Sequence, residues 1–234
     1  MDDAAYRERP SRYAGAVLWT KTVDASGSAL PVLPDGCMDL IWMNDRLVVA
    51  GPDTRAHYPG GTSGDRYLGV RFFPGTAPAL LGVPACELRD RRVDLAQLWP
   101  SAMVRPLVDR IAGAGDQAAA LEHLVRRRAA ETEPADPLLR KLVGALDAGW
   151  PVAAVADTAG LGERTLRRRC LDAFGYGPKT LARVLRLQRA LGTARQGVPL
   201  AETATRAGFA DQAHLSREVR ALAGIPLGKL LAQS

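Results

Sequence analysis

The sequence has few cysteines and histidines and no long apolar run. Its three cysteines are scattered along 234 residues without CxxC spacing, which argues against a disulfide scaffold or a structural zinc site and fits a reducing cytoplasm. The N-terminus MDDAAYRERP is acidic and polar, so we expect no signal peptide. No apolar stretch reaches the roughly 18 residues needed to span a bilayer. We therefore expect a soluble, cytoplasmic protein without membrane association.

Signatures of catalysis and of metal binding are also missing. The glycine turns form neither a GxGxxG motif nor a P-loop, and no Ser/His/Asp order suggests a hydrolase. A metal-binding cupin needs two or three histidines and a carboxylate on adjacent strands, and only His57 lies among the predicted strands. The sequence therefore predicts no enzyme, no metal site and no cofactor.

Charge divides the chain into two parts. Residues 1–137 hold 16 basic and 18 acidic residues, whereas residues 138–234 hold 15 basic and 7 acidic residues. A near-neutral part joined to a basic part indicates a sensor or catalytic module attached to a polyanion binder. The segment ETEPADP has two prolines, three acids and no apolar periodicity. The predicted organisation is a domain over 1–130, a linker over 131–137 and a domain over 138–234.

The first part alternates short β-rich segments with Pro/Gly/Asn/Asp turns, which predicts a small antiparallel barrel or sandwich. The predicted strand segments are YAGAVLWTKTV (13–23), CMDLIW (37–42), RLVVAG (46–51) and RYLGVRFF (66–73). Helices are predicted over 101–113 and 116–130. The second helix has an incomplete apolar stripe of Ala119, Leu121, Leu124 and Val125, for which packing on the strands is favoured over self-association.

The second part contains an internal duplication. The shared positions lie 48 residues apart before the turn, from Pro151/Pro199 to Gly160/Gly208, and 49 apart after it, as in Leu166/Leu215 and Gly175/Gly224. Each copy reads as a helix, a tight glycine turn, a second helix and a closing glycine. That pattern is typical of a helix-turn-helix unit. The amphipathic helix PKTLARVLRLQRALGTAR (178–195) joins the copies, with Arg183, Arg186 and Arg189 predicted on its outside.

Helical phase separates buried from exposed positions in each second helix. Leu166, Cys170, Ala173 and Phe174 form the buried row of the first copy, and Leu215, Val219 and Leu222 form that of the second. Polar side chains with fork or amide geometry point away from these rows, as major-groove reading requires. Arg169 falls near the boundary of the first row, where its stem packs and its head reaches solvent or phosphate.

These residues resemble the AraC/XylS family of transcription regulators. The resemblance covers about 140–234 and is carried by LGERTLRRRCLDAFGYGPKTLARVLRLQRA and GFADQAHLSREVRALAGIP. It implies a C-terminal all-α domain with two helix-turn-helix units, and an α+β chain overall, because LPDGCMDLIW and AGPDTR look like the cupin-like sensor domain of some members. The sequence departs from the family at Val219 and Cys170, where aromatic residues are usual, and at Pro226, one place early.

The resemblance and the helical phase assign candidate DNA contacts in both copies. These are Arg164, Arg167, Arg168, Gln212, His214, Ser216, Arg217 and Arg220. His214 borders the apolar row, so a packing role competes with a phosphate contact. The expected partners are double-stranded promoter DNA, RNA polymerase and a small-molecule effector, and the chain is expected to be a nucleoid-associated monomer or homodimer. Whether it acts as an activator or a repressor stays open.

Candidate effector residues lie in the first part. They are Cys37, Asp39, Arg55, His57 and Arg71, which either line a pocket for a polar or anionic effector or are surface and ion-paired residues. Two alternative functions compete with that of a regulator. One is a Cys37-based reactive sensor or modifying enzyme tethered to DNA, although the acids near this thiol oppose a low pKa. The other is a nonspecific nucleoid binder.

Overall fold

The computed structural model describes residues 6–23 and 31–232. The strands are β1 (Arg7–Pro10), β2 (Ala16–Thr22), β3 (Met38–Met43), β4 (Arg46–Ala50), β5 (Arg66–Phe72) and β6 (Arg92–Asp94). The helices of the first part are α1 (Ala77–Leu81), α2 (Ala85–Leu88), α3 (Ser101–Ala112) and α4 (Gln117–Ala130). The helices of the second part are α5 (Pro137–Asp147), α6 (Val152–Thr158), α7 (Glu163–Phe174), α8 (Pro178–Arg195), α9 (Leu200–Ala207), α10 (Gln212–Ala223) and α11 (Leu227–Ala232).

The strands form one six-stranded antiparallel sheet in the order β1-β2-β5-β3-β4-β6. The predicted fold class is confirmed, and the four predicted strand segments correspond to β2 to β5, with β3 extending one residue beyond its segment, to Met43. The edge strands β1 and β6 were not predicted. β1 is exposed along its whole length and β6 has three residues, so neither shows the period-2 apolar pattern that marks a half-buried strand.

One face of the sheet packs under helices α1 to α4 and forms the first hydrophobic core. Alternate residues point into it, as with Met38, Leu40 and Trp42 of β3. The apolar stripe of α4 joins this core through Leu121, Leu124 and Val125, so packing is its role here. Ala119 is exposed, and its predicted place in the stripe was wrong, because it lies in the first turn, where its N–H bonds the capping Asp116.

A buried carboxylate ties the edge strand β1 to helix α4. Glu122 is 2% exposed, and its oxygens accept hydrogen bonds from Arg9, the Ser11 hydroxyl and the backbone N–H of Arg12. Burial alone would raise the pKa of Glu122, but these hydrogen bonds outweigh it and the pKa is lowered. Hydrogen bonds to the Glu122 side chain therefore hold β1 against α4, although this polar strand contributes no core residue.

The second part consists of two similar helical units joined by α8. α6 and α7 form the first unit, and α9 and α10 form the second. Gly175 and Gly224 close the second helices with positive φ angles of 80° and 72°, a left-handed conformation that glycine adopts at little cost. Two of the three departures from the family pattern, Cys170 and Val219, are fully buried. Helix α11 packs Leu227 and Leu230 into the second unit's core.

The first and second parts are in contact along α1, α2 and two loops. α1 and α2 pack against α7, and Leu33 packs against the core of the second unit. The Gln188 amide donates to the Pro34 carbonyl at 2.6 Å. Helix α4 ends at Ala130 and α5 begins at Pro137, with Asp136 as its N-cap. The proposed domain boundary thus falls in an extended segment, and the division into domains stays a prediction.

Candidate nucleic-acid interface

Helix α7 presents three arginines on the side away from its core. Leu166 and Cys170 are completely buried, which fixes the rotation of the helix. Arg164, Arg167 and Arg168 are exposed. Within the described parts of the chain, 6–23 and 31–232, the side chains of these three arginines have no ion-pair or hydrogen-bond partner. Their guanidinium groups are therefore available to an anion or a base edge.

Helix α10 presents a more mixed surface in the second unit. The Asp211 carboxylate caps the helix by accepting the backbone N–H of His214 at 2.6 Å. Gln212 lies in the first turn beside this cap and is exposed, as are Arg217 and Arg220. Ser216 is half-buried on the same side. Amide, hydroxyl and guanidinium groups near a helix N-terminus are the combination that reads base edges.

The His214 side chain packs against neighbouring residues of the second unit instead of projecting outward. Its ring meets that of Phe209 edge to face, with centroids 5.3 Å apart, and its Nδ1 accepts a long 3.5 Å bond from the backbone N–H of Ala210. These contacts favour the packing role for His214. Its assignment as a DNA contact stays a prediction.

Other arginines of the second part are already paired with acids. Arg169 lies 2.9 Å from Asp136, the residue that caps α5. Helical phase placed Arg169 at the boundary of the buried row, with its head group reaching solvent or phosphate. In the structure that head group pairs with a carboxylate of the same chain.

The arginines of α8 leave the apolar row of that helix, as predicted, but they are engaged by neighbouring elements. Arg183 pairs with Glu218 of α10, and Arg186 lies 3.9 Å from the same carboxylate and 4.4 Å above the ring of Phe209. Arg189 lies 3.3 Å from Asp147 of α5. All three are half-buried, because the second unit and the end of α5 lie against this face of α8. Helix α8 therefore links the two units through ion pairs as well as through apolar packing.

Part of the predicted effector cluster comes together on the sheet face opposite the core. Asp39 and Arg71 are register partners on β3 and β5, with Oδ1 and Nε 3.4 Å apart. The Trp19 indole donates to Asp39 at 2.6 Å. Trp19 lies against Gly69, where an added Cβ would come within 2.3 Å of the ring, so this stacking requires glycine. Asp35 is a second carboxylate beside Arg71, at 3.7 Å.

Burial governs the ionisation of this cluster. Burial raises the pKa of Asp39 to about 6, although Arg71 favours its charged form. Burial also raises the pKa of the Cys37 thiol well above its usual value, and the charges of Asp35 and Asp39 raise it further. A thiol held protonated is a poor nucleophile, which opposes the alternative of a reactive Cys37.

The remaining predicted effector residues do not join this group. Arg55 is exposed and has no side-chain partner among residues 6–23 and 31–232. His57 pairs by backbone with Val32 in an isolated bridge. Its pKa is lowered by burial and by the nearby charge of Arg92, which forms a two-pronged ion pair with Asp53. The assignment of the five residues to an effector stays a prediction.

The first part contacts both α7 and α10 at their C-terminal ends. The Arg89 guanidinium donates to the Gly175 carbonyl at 3.3 Å, just after α7. The backbone N–H of Ala56 donates to the Leu222 carbonyl at 2.7 Å, in the last turn of α10. Tyr58 reaches the Ala223 carbonyl at 3.5 Å. The N-terminal halves of α7 and α10, which carry the exposed polar side chains other than Arg220, do not take part in these contacts.

Sequence reasoning missed Tyr176, which lies at the junction of the two parts. Its ring is buried, and its hydroxyl has no hydrogen-bond partner in the described residues. A Cβ added to Gly36 would lie 3.5 Å from that hydroxyl. Burial raises the pKa of Tyr176, and the charges of Asp35 and Cys37 raise it further. Its position next to the closing glycine of α7 was a sequence signal of burial, because an aromatic ring has a large apolar area that favours a buried position.

Comparisons with known proteins agree with this architecture. Residues 155–233 match a family described as a helix-turn-helix domain. Residues 16–94 match a domain of unknown function, DUF6597. No curated protein matches the chain in sequence. No helix within residues 6–23 and 31–232 is long and apolar enough to cross a membrane.

Solved structures of ToxT share the fold over nearly the whole chain. Apo ToxT from Vibrio cholerae, as a single-site variant, is 10% identical, covers 95% of this chain and 99% of its own, and has a TM-score of 0.51. Wild-type ToxT bound to an unsaturated fatty acid is 10% identical, with 95% and 96% coverage and a TM-score of 0.50. A probable AraC family regulator from Rhodopseudomonas palustris is 21% identical over 42% of this chain and 97% of its own, with a TM-score of 0.36.

The duplicated helical units, their exposed basic faces and the match over residues 155–233 define the class of protein, a DNA-binding transcription regulator. Within that class, the motifs of residues 140–234 resemble those of AraC-type regulators. The resemblance predicted from its two motifs is confirmed, with an antiparallel sheet domain preceding two helix-turn-helix units.

Proposed function

We propose that the chain regulates transcription by placing α7 and α10 in successive major grooves of promoter DNA, under the control of a small molecule that binds its first part. In this arrangement Arg164, Arg167 and Arg168 contact the first groove. Gln212, Ser216 and Arg217 contact the second, and Arg220 contacts phosphate. Successive grooves on one face of DNA lie about 34 Å apart, and the long helix α8 sets the separation of the two units.

The observation that carries this proposal is the division of the arginines into paired and unpaired sets. Arg169, Arg183 and Arg189 have carboxylate partners. The arginines on the outer faces of α7 and α10 have none within the described ranges. A charge that serves only the fold is expected near an opposite charge. Unpaired guanidinium groups on two equivalent helices are suited to phosphate and guanine.

The contacts at the C-terminal ends of both reading helices support control by the first part. Arg89 reaches the end of α7, and Ala56 and Tyr58 reach the end of α10. A ligand that favours one arrangement of the sheet domain would shift these contacts and change the relative position of the two helices. A protein of the same fold, ToxT, binds an unsaturated fatty acid, which supports a small molecule as the class of effector.

The test begins with duplexes selected from a random pool by the full chain. Arg167→Ala and Arg217→Ala should each lower affinity for the selected site about tenfold or more, since a good arginine–guanine pair is worth roughly 1–3 kcal/mol. Arg217→Ala should also relax the preference at one or two base pairs of the second half-site. Affinity is measured by fluorescence anisotropy at several salt concentrations.

Arg126→Ala is the matched control, because Arg126 is an equally exposed arginine on α4 of the first part. It should leave affinity and base preference unchanged. If the two reading-helix variants behave like this control, the assignment of the reading helices is wrong. If no site is enriched from the pool, the chain is a nonspecific binder of DNA.

A further inference from the structure

A cationic cleft of about 300 Å³ lies between the two helix-turn-helix units. Its walls are the corner between α5 and α6, one face of α8 and the end of α9. Lys179, Arg183, Arg186 and Arg189 line it from α8, and Trp150 lines it from the corner. None of the lining residues is acidic, and the reading faces of α7 and α10 lie outside the lining set.

The arginines of this cleft are held in place by the ion pairs of α8. Arg183 and Arg186 share Glu218, and Arg189 bonds both Asp147 and the Ala207 carbonyl. These two carboxylates offset two of the four positive charges. Lys179 is exposed and has no partner within residues 6–23 and 31–232. The cleft therefore keeps an excess of positive charge on a preorganised wall.

Trp150 is the second feature that points to a ligand. It is 48% exposed, although a large apolar ring is usually covered unless it meets a partner. Its backbone N–H bonds the Ala145 carbonyl at 3.0 Å, which fixes the chain at the mouth of the cleft. A flat ring beside an unpaired cation suits a ligand that combines an uncharged ring with an anion.

We propose that this cleft binds a sugar–phosphate unit, with Lys179 on the phosphate and the ring of Trp150 against the pentose. The observations favour the backbone of the bound DNA, because the cleft lies between the two units and that backbone runs between the two grooves. A free nucleotide offers the same chemistry. The DNA form of this inference rests on the proposed function, whereas the nucleotide form does not.

The experiment compares full-chain variants on two probes, the selected duplex and ADP. Lys179→Ala should lower duplex affinity about fivefold near 0.15 M salt and reduce the slope of log affinity against log salt by about 1, as expected for one lost phosphate contact. Trp150→Ala should lower affinity by a similar factor, and Trp150→Phe, which keeps an aromatic ring, should restore most of it. Lys141→Ala, an exposed lysine on α5 outside the cleft, is the control and should change neither quantity.

Neutral methylphosphonates at the central phosphates of the duplex locate the contact. They should weaken binding by the wild type and have a smaller effect on Lys179→Ala. If Lys179→Ala and Trp150→Ala keep full duplex affinity but lose ADP binding seen by calorimetry in the wild type, the site takes a free nucleotide. If both variants match Lys141→Ala on both probes, the cleft is not a sugar–phosphate site. Failure of the wild type to select any duplex would overturn the proposed function, and the ADP titration would then decide this inference by itself.

Discussion

The two helix-turn-helix units share one skeleton but have different surroundings. Each has a fully buried row on its second helix, represented by Leu166 and Leu215, and a left-handed glycine that closes it. The first unit lies against α1 and α2 of the sheet domain. The second unit is reached by loop residues such as Ala56 and Leu33. The duplicated positions thus encode the fold of a unit, and the positions that differ encode how each unit is held.

This contrast suggests unequal roles in regulation. A unit packed against folded elements follows any movement of those elements. The second unit is held by loop contacts, namely the packing of Leu33, a backbone hydrogen bond and a tyrosine. We expect it to be released at lower cost, since such hydrogen bonds contribute about 1 kcal/mol each. We therefore expect the second unit to be the more mobile one when the sheet domain changes its arrangement.

Substitution of the two closing glycines, Gly175 and Gly224, should give the largest difference in stability between the two units. An alanine at Gly224 meets only the Tyr58 hydroxyl, at 3.9 Å, whereas an alanine at Gly175 would come within 2.5 Å of Pro52 and 3.2 Å of the Ala85 carbonyl oxygen. Both substitutions incur the left-handed strain of about 1–2 kcal/mol. Gly175→Ala should therefore lower the free energy of unfolding by about 3 kcal/mol or more, and Gly224→Ala by about 1–2 kcal/mol. Urea denaturation of the two variants measures the difference, and equal losses would show that the first unit is not packed against the sheet domain.

The buried carboxylates of the sheet domain, by contrast, should make the stability of the chain depend on pH. Asp39 lies beside Arg71 on the sheet, and its pKa is raised by burial to about 6, above the unfolded value near 3.9. The folded state therefore binds more protons than the unfolded state between these values, so this group adds stability as the pH falls. The expected gain from Asp39 is about 1 kcal/mol between pH 7.5 and pH 5.

Asp39→Asn isolates this contribution, because it keeps the shape of the side chain and removes the titration. The difference in unfolding free energy between pH 5 and pH 7.5 should be about 1 kcal/mol smaller in the variant than in the wild type. Asp35, whose pKa is also raised by burial, acts in the same direction and stays in both proteins. Glu122, with a lowered pKa, acts in the opposite direction and is likewise unchanged. Identical pH profiles would show that Asp39 ionises normally.

The repeat could be predicted from sequence because its signals are local. Buried rows follow from a 3.6-residue period, and the offsets of 48 and 49 residues place the glycines at equivalent turns. The bounds of α8 coincide with the predicted segment 178–195. The four central strands are rich in β-branched and aromatic residues and are bounded by turn residues, so their segments were also predictable.

Features that depend on distant partners could not be predicted in this way. The Arg183 side chain is paired with Glu218, 35 residues away, and the Arg169 side chain is paired with Asp136, 33 residues away. Helical phase predicts that these arginines point away from the apolar core, but it does not predict which neighbouring element packs against them. Strand β1 is polar and is held by Glu122, 113 residues away, so its own sequence has no strand signal. The candidate effector residues separated for the same reason, since strand register joins Asp39 to Arg71 whereas Arg55 lies in a loop.

Two matched tyrosine substitutions give the smallest expected effects and differ in sign. The Tyr176 hydroxyl is buried without a hydrogen-bond partner in the described residues, so Tyr176→Phe should raise the free energy of unfolding by about 0.5–1 kcal/mol as a desolvation penalty is removed. The Tyr58 ring is 53% exposed and its hydroxyl bond to Ala223 is 3.5 Å long, so Tyr58→Phe should lower it by less than about 0.5 kcal/mol. Thermal and urea unfolding of both variants at one pH measure these changes. A loss of stability in Tyr176→Phe would mean that its hydroxyl has a partner at the junction, and the first unit would then be held by polar bonding as the second one is.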